Sequence, residues 1–357
     1  MLAPLPPLGG SLVLLAIPAL LLLAACSEAT PEADPPDAPF TGVVWEEVPG
    51  NPSLATPVCP EWNCLGMTDP WLGRAPDGET VLWVSAGGDA ATDGPVVARA
   101  SGPTASEVTF GADAPQLLPD DAAWDRWRET VALRFDPEAD RWTMWYLGYN
   151  QSFFDDPAIG QSVSTDAEGT AFVRPEAPIY RPAPGAWDGR FVADPTPIRL
   201  PDGSWRLYYT GAGTTVGVGV LESDDGETWT PYAGNPVFER DLGGWDQGFI
   251  GIDVQIVDGR YLMWYSGYEE PLDLETTPIS IGLAVSDDGL SWQRYEDNPV
   301  IEPGASGTWN ELRIVSPSVR IEADGSFTMA LHGQNRADAQ GRSLGRIGLY
   351  RSARVDP

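Results

Sequence analysis

The chain has 357 residues, 42% of them hydrophobic and 10% aromatic, enough to bury a large core. Its 39 glycines and 35 prolines suit strands and turns and exclude a mainly helical protein. The net charge of −31, with arginine and one histidine as the only basic side chains, argues against nucleic acid and against docking on anionic lipid.

The first predicted element is a leader at 1–25. Its apolar run SLVLLAIPALLLLAAC is interrupted by Pro18 and is too short to span a bilayer comfortably. The run ends in Leu23-Ala24-Ala25-Cys26, which resembles a bacterial lipobox, although no Lys or Arg precedes it. The resemblance implies cleavage before Cys26, diacylation of its thiol, and export to a bacterial membrane, outer membrane or cell surface. A plain secretory signal is the alternative. Residues 26–39, rich in Pro, Glu and Asp, read as a solvated tether to a domain at 40–357. Cys59 and Cys64, in VCPEWNCL, are close enough for a local disulfide in an oxidising compartment. Two thiolates and one distant histidine do not make a zinc site.

The rest of the chain repeats itself. SDDGETWTPYAGNPV (223–237) and SDDGLSWQRYEDNPV (286–300) share a Trp, a Tyr and an Asn-Pro-Val ending. Extending outward gives a unit of about sixty residues, in the period range of propeller blades. Copies run over roughly 60–119, 120–182, 183–240, 241–303 and 304–357, opening at Trp62, Trp124, Trp187, Trp245 and Trp309. Within each copy, runs such as SWRLYYT and RYLMWYS alternate with period two and are bounded by PDG or VDG, a strand–turn–strand pattern. The expected fold is all-β: a five-bladed β-propeller of four-stranded antiparallel blades. The fifth copy lacks a last strand, and VVWEEVPGNPSL (43–54) matches the missing piece in its Trp and Asn-Pro. This N-terminal strand is expected to close the last blade and remove its open edge. The SDDG turns resemble the Asp-box of sialidase propellers, one residue shorter; turn chemistry alone accounts for them.

Candidate chemistry sits where the first strand of each copy begins: Asp69, Glu129, Asp194, Asp253 and Ser316. A closed ring brings these positions around one axis. Strands disfavour Asp, and clustered acids raise at least one pKa, so stability alone does not explain the pattern. Asp69, Asp194 and Ser316 each precede a proline.

TDPWL, ADPTP, MWYSG and YYTG on five blades resemble the superfamily of five-bladed glycoside hydrolases that includes family 43 and the invertase and levansucrase families. The resemblance implies Asp69 as general base and Asp194 as the residue that tunes and orients the acid. Family 43 carries its general acid, a glutamate, at the blade-four strand start, where this chain has Asp253. Asp253, Glu129 or Glu269 is left to serve as acid, or the site binds without turnover. The invertase-type NDPNG is not matched. The substrate implied is a pentose- or furanose-containing oligo- or polysaccharide, handled by a monomer attached to the membrane only through its lipid. Trp71, Trp127 and Tyr268 are candidate sugar-stacking rings. Arg313 and Arg336 are candidates for sugar hydroxyls or a substrate carboxylate, or simply neutralise the acids. His332 orients the base, ligates a channel ion, or is merely hydrogen-bonded. No cofactor is required; Ca2+ in the central channel is the one ion this reading admits. The alternative is a non-catalytic carbohydrate-binding propeller. A water- or cation-binding acid cluster is the bland reading of the ring. Trp187, Trp245 and Trp309 are expected to pack blade on blade.

Overall fold

The computed structural model describes residues 43–54, 66–87, 94–111, 114, 117, 120, 123–152, 154–273, 276–336 and 345–352. The leader, the tether, Cys26, Cys59, Cys64 and Trp62 lie outside the described residues.

Five antiparallel sheets follow one another along the chain. The N-terminal strand is β1 (Trp45–Glu47). Blade one holds β2 (Met67–Arg74), β3 (Thr80–Gly87), β4 (Pro95–Gly102) and β5 (Thr109–Phe110). Blade two holds β6 (Trp127–Asp136), β7 (Arg141–Tyr149) and β8 (Ala158–Val163). Blade three holds β9 (Phe191–Arg199), β10 (Trp205–Ala212), β11 (Val216–Ser223), β12 (Thr230–Pro231) and β13 (Phe238–Glu239). Blade four holds β14 (Gly248–Val257), β15 (Arg260–Tyr268), β16 (Ser280–Ser286) and β17 (Gln293–Arg294). Blade five holds β18 (Arg313–Ile321), β19 (Phe327–Gln334) and β20 (Gly345–Ser352), with β1 as its outer strand. Among the described residues the one helical segment is the turn Ala105–Glu107.

Two blades depart from four strands. Blade two has three, and its outer segment touches the sheet only at the bridges Ile159–Tyr180 and Ser164–Phe172. Pro175 and Pro178 lie between those bridges and cannot donate to a ladder. In blade three the outer segment splits into β12 and β13, both paired with β11.

The repeated letters have specific tasks. In blade four, Asn298 accepts from the N–H and donates to the C=O of Leu283, both at 2.8 Å. Asn235 makes the same pair with Val220 in blade three, both at 2.9 Å. Asn51 makes it with Leu349, at 2.9 and 2.8 Å, across a separation of 298 residues. One side chain thus bonds two third-strand backbone groups, and the two ends of the chain are joined in the manner of blades three and four.

Expected to pack blade on blade, the opening tryptophans instead stack on the second strand of their own blade. Trp245 lies parallel to Tyr265 at 5.9 Å, and Trp124 to Tyr146 at 6.3 Å. A Cβ on Gly267 would stand 2.5 Å from the Trp245 ring, which is why the second strand reads WYSG. The residue after each of these tryptophans is a buried acid or amide: Asp125, Asp188, Asp246 and Asn310. Asp125 accepts from Tyr146 and Arg174, Asp246 from Tyr265 and Arg294, and Asp188 from both Tyr180 and Tyr209. In blades two, three and four these locks fix the entry loop to that blade's own second strand, whereas in blade five Asn310 donates to Tyr350 of the third strand at 2.9 Å.

Candidate active site

Every first strand breaks register at one place. The breaks fall after Thr68 in β2, Glu129 in β6, Ile250 in β14 and Val315 in β18, and opposite Tyr208–Thr210 in β9. At each break one residue turns to positive φ: Asp69 at 47°, Thr130 at 48°, Asp194 at 55°, Gly251 at 61° and Ser316 at 54°. A bulge of this kind re-aims a side chain, and holding four non-glycine residues there costs about 1–3 kcal/mol each.

These five bulge residues are the true equivalents around the axis. The expected positions coincide with them in blades one, three and five, where a proline follows and marks the place. Blades two and four need correction. Glu129 precedes its bulge residue by one position, and Asp253 follows Gly251 by two. Neither blade has the proline, so the nearest acidic letter is a false guide there.

Hydrogen bonds run from bulge to bulge. The Asp194 N–H donates to Thr130 Oγ1 at 3.2 Å, and the Gly251 N–H donates to Asp194 Oδ2 at 2.9 Å. The Ser316 hydroxyl donates to Asp69 Oδ1 at 2.7 Å, while the Thr68 hydroxyl donates to Oδ2 at 2.8 Å. Glu129 stands just before the ring, where the Tyr149 hydroxyl donates to its Oε1 at 3.1 Å. Burial raises Glu129 from 4.5 to about 7, with the charges of Asp69 and then Asp194 adding, and Tyr149 opposing. Burial likewise raises Asp194 from 3.8 to about 7, with the Asp69 charge adding and the Gly251 N–H opposing. Asp69, Glu129 and Asp194 therefore form one electrostatic cluster at one end of the channel, from blades one, two and three.

Asp253 does not join them. Its Oδ2 accepts the Val319 N–H and its Oδ1 accepts the Gln255 amide at 3.0 Å, a tie between blades four and five. Burial raises it to about 7, against those hydrogen bonds and with no contribution from the other three acids. It lines the channel beyond the bulge ring, in a cavity of about 490 Å³ shared with Asp69, Asp194 and Ser316. Glu269 is exposed beyond the end of β15.

Of the remaining candidates, Trp71 lines the cavity with Asp69, and His332 lies within reach of the Asp69 charge. His332 pairs with Val315 and is 8% exposed; burial lowers it to about 4 against the pull of Asp69, so it is neutral at pH 7. Its Nε2 has no partner among the described residues. Arg313 is 3% exposed, and burial lowers its pKa against the pull of Asp273. Arg336 is exposed, and its backbone N–H donates to Glu311 at 2.9 Å. Trp127 is 6% exposed beneath the Arg126 guanidinium, 4.4 Å from its ring. Tyr268 is 7% exposed and packs on Ile279 and Val315. Trp71 meets Trp142 edge-on at 6.0 Å, beyond the bulge and away from Glu129. Buried rings cannot offer a face to a sugar, so Trp127 and Tyr268 serve as wall and not as platform. Tyr149, which the sequence analysis passes over, is the hydroxyl against Glu129; its place two strand positions from that acid's partner Leu147 is the signal for it.

Among the described residues no group of three or more His, Cys, Asp or Glu side chains is placed to hold a metal ion.

No protein-family model matches the chain, and no curated protein matches it. Solved structures do. One belongs to family 130, described as mannoside phosphorylases that include glycoside hydrolases targeting β-1,2-mannosidic linkages in Candida mannan. It is 16% identical, with 90% of this chain and 98% of that one covered and a TM-score of 0.64. A thermostable family 43 glycoside hydrolase is 18% identical over 82% of this chain and 95% of that one, with a TM-score of 0.59. An N-acetylgalactosamine deacetylase from F. plautii, in complex with blood group B trisaccharide, is 14% identical over 86% and 95%, with a TM-score of 0.62. At these identities the likeness is one of fold: the chain shares the five-bladed propeller of these glycan-acting enzymes.

Proposed function

We propose that the protein is a glycoside hydrolase whose acid is Glu129 and whose base is Asp69, with Asp194 tuning the pair. The observation that carries this is the meeting of the three carboxyl groups at one mouth, two of them raised to about 7. Glycosidic cleavage needs one carboxyl group still protonated near neutral pH and one carboxylate beside it. Glu129, buried and next to two other acids, keeps its proton and gives it to the departing oxygen. Asp69, held by the Thr68 and Ser316 hydroxyls, takes a proton from the attacking water or itself attacks the anomeric carbon. Asp194 adds the negative charge that keeps Glu129 protonated.

Pentose- and furanose-containing glycans are the first substrates to test, and β-1,2-mannosides, named for one structural neighbour, the second. With an active substrate from that panel, Asp69→Asn should lose about 100-fold or more. Full activity in that variant would overturn the assignment of the base. Binding without cleavage across the panel would turn the reading to a carbohydrate-binding propeller.

We further propose that the protein is carried on a lipid at Cys26. Incorporation of labelled fatty acid, abolished by Cys26→Ser, is the test; label retained in that variant would contradict it.

A further inference from the structure

We propose that Phe154, backed by Phe191, is a stacking platform for a sugar ring of the substrate outside the bond being cleaved; this rests on the glycan reading above. The large hydrophobics exposed among the described residues are Val44, Phe154, Val173, Leu242 and Ile321, and Phe154 alone is aromatic, with 57% of its surface open. A single exposed apolar residue needs no explanation, but this one is not isolated. Its ring lies 6.1 Å from that of Phe191, which packs on Trp127, Leu147, Tyr149 and Ala193. Of those residues, Tyr149 donates to Glu129 and Ala193 directly precedes Asp194. Phe191 stands three residues before Asp194 on β9, about 10 Å along a strand. The aromatic surface therefore begins beside the acids and ends farther out than one monosaccharide reaches, which commits it to a further ring of the same chain.

The described residues on either side of Phe154 are tied down by hydrogen bonds. The Asp156 carboxylate accepts the N–H groups of Asn150 and Gln151 at 3.0 and 3.2 Å. The Asn150 side chain donates to Ala123 O at 2.7 Å, Arg181 donates to Asp156 O at 2.9 Å, and the Phe154 N–H donates to Ser152 Oγ at 3.1 Å. An exposed aromatic flanked by such anchored residues loses little freedom when a ligand lands on it, and the C–H face of a sugar ring is the matching surface at a carbohydrate site. Trp127 and Tyr268, the rings singled out from sequence on this side of the channel, are buried and cannot do this.

The test is the length dependence of binding. Calorimetry on the full chain carrying Glu129→Gln, which stops turnover, uses arabino-oligosaccharides and β-1,2-manno-oligosaccharides of one to four units. The preference for a trisaccharide over a monosaccharide should fall about ten-fold in Phe154→Ala and return in Phe154→Tyr and Phe154→Trp. The platform is overturned if Phe154→Ala keeps the preference, if neither aromatic variant restores it, or if affinity does not grow with length at all. Length-dependent binding by a wild type that cleaves nothing would sink the proposed reaction and leave the platform standing. Cleavage that ignores Phe154→Ala would do the reverse.

Discussion

Tyr149 donates its phenolic proton to Glu129 at 3.1 Å, from the strand that pairs with the one bearing the acid. Tyr149 thereby anchors Glu129 Oε1 while burial and two neighbouring acids hold its proton on. The hydrogen bond favours the ionised form and so sets an upper bound on the raise. Tyr149→Phe removes that brake. The pH above which activity falls should move upward in this variant; an unmoved limb would show that Tyr149 does not act on the acid.

The same raise makes a statement about stability. The folded values of Glu129 and Asp194, about 7, lie above their unfolded ones, so the native state keeps protons that the unfolded chain releases. Their stabilising contribution is complete below the ordinary carboxylate range and is lost as pH climbs through about 7. Each unit of raise corresponds to about 1.4 kcal/mol. Glu129→Gln should therefore flatten the fall in melting temperature between pH 5 and 7.5 and melt about 2–4 °C higher than wild type above pH 7. Parallel melting curves for the two proteins across that range would contradict the burial of a proton on Glu129.

Asp253 separates architecture from chemistry. Its carboxylate joins the Gln255 amide and the Val319 N–H, between blades four and five. Asparagine cannot accept from both, so Asp253→Asn should cost about 1–3 kcal/mol in urea unfolding while activity stays within a few-fold. Unchanged stability with activity lost by 100-fold would return Asp253 to the acid role.

Ring closure has its own test. Asn51→Ala orphans the N–H of Leu349, whose C=O keeps the Val48 N–H, as Asn298→Ala orphans that of Leu283, whose C=O keeps the Tyr295 N–H. Each should lower stability by about 1–3 kcal/mol, and the two costs should be alike. A silent Asn51→Ala beside a costly Asn298→Ala would show that the seam is not closed as the other blades are.

The architecture was legible because its requirements recur in letters. Blades three to five each need a tryptophan over a glycine and an Asn that spans the third strand, and these residues tolerate few replacements. Blade five was readable for the same reason, since Asn51 and Trp45 repeat the pattern at the far end of the chain. The site was legible only where a proline marked the bulge, at Asp69, Asp194 and Ser316. A bulge is a backbone event fixed by neighbouring strands; Thr130 and Gly251 carry it with no letter in common. Ring roles were misread for a related reason. Periodicity names the face on which Trp127 and Tyr268 lie, but whether a neighbour covers them depends on the loops between blades. Phe154 escaped notice because it lies in such a loop, outside any period.

The assignment of Glu129 as the acid is tested most directly by comparing two aryl glycosides of the sugar that the panel identifies. One carries dinitrophenolate, which departs without a proton; the other carries a poor leaving group. Glu129→Gln should lose about 10²–10⁴-fold on the poor substrate and stay within about ten-fold of wild type on the activated one. An equal loss on both, or the same selectivity appearing in Asp253→Asn instead, would contradict the account.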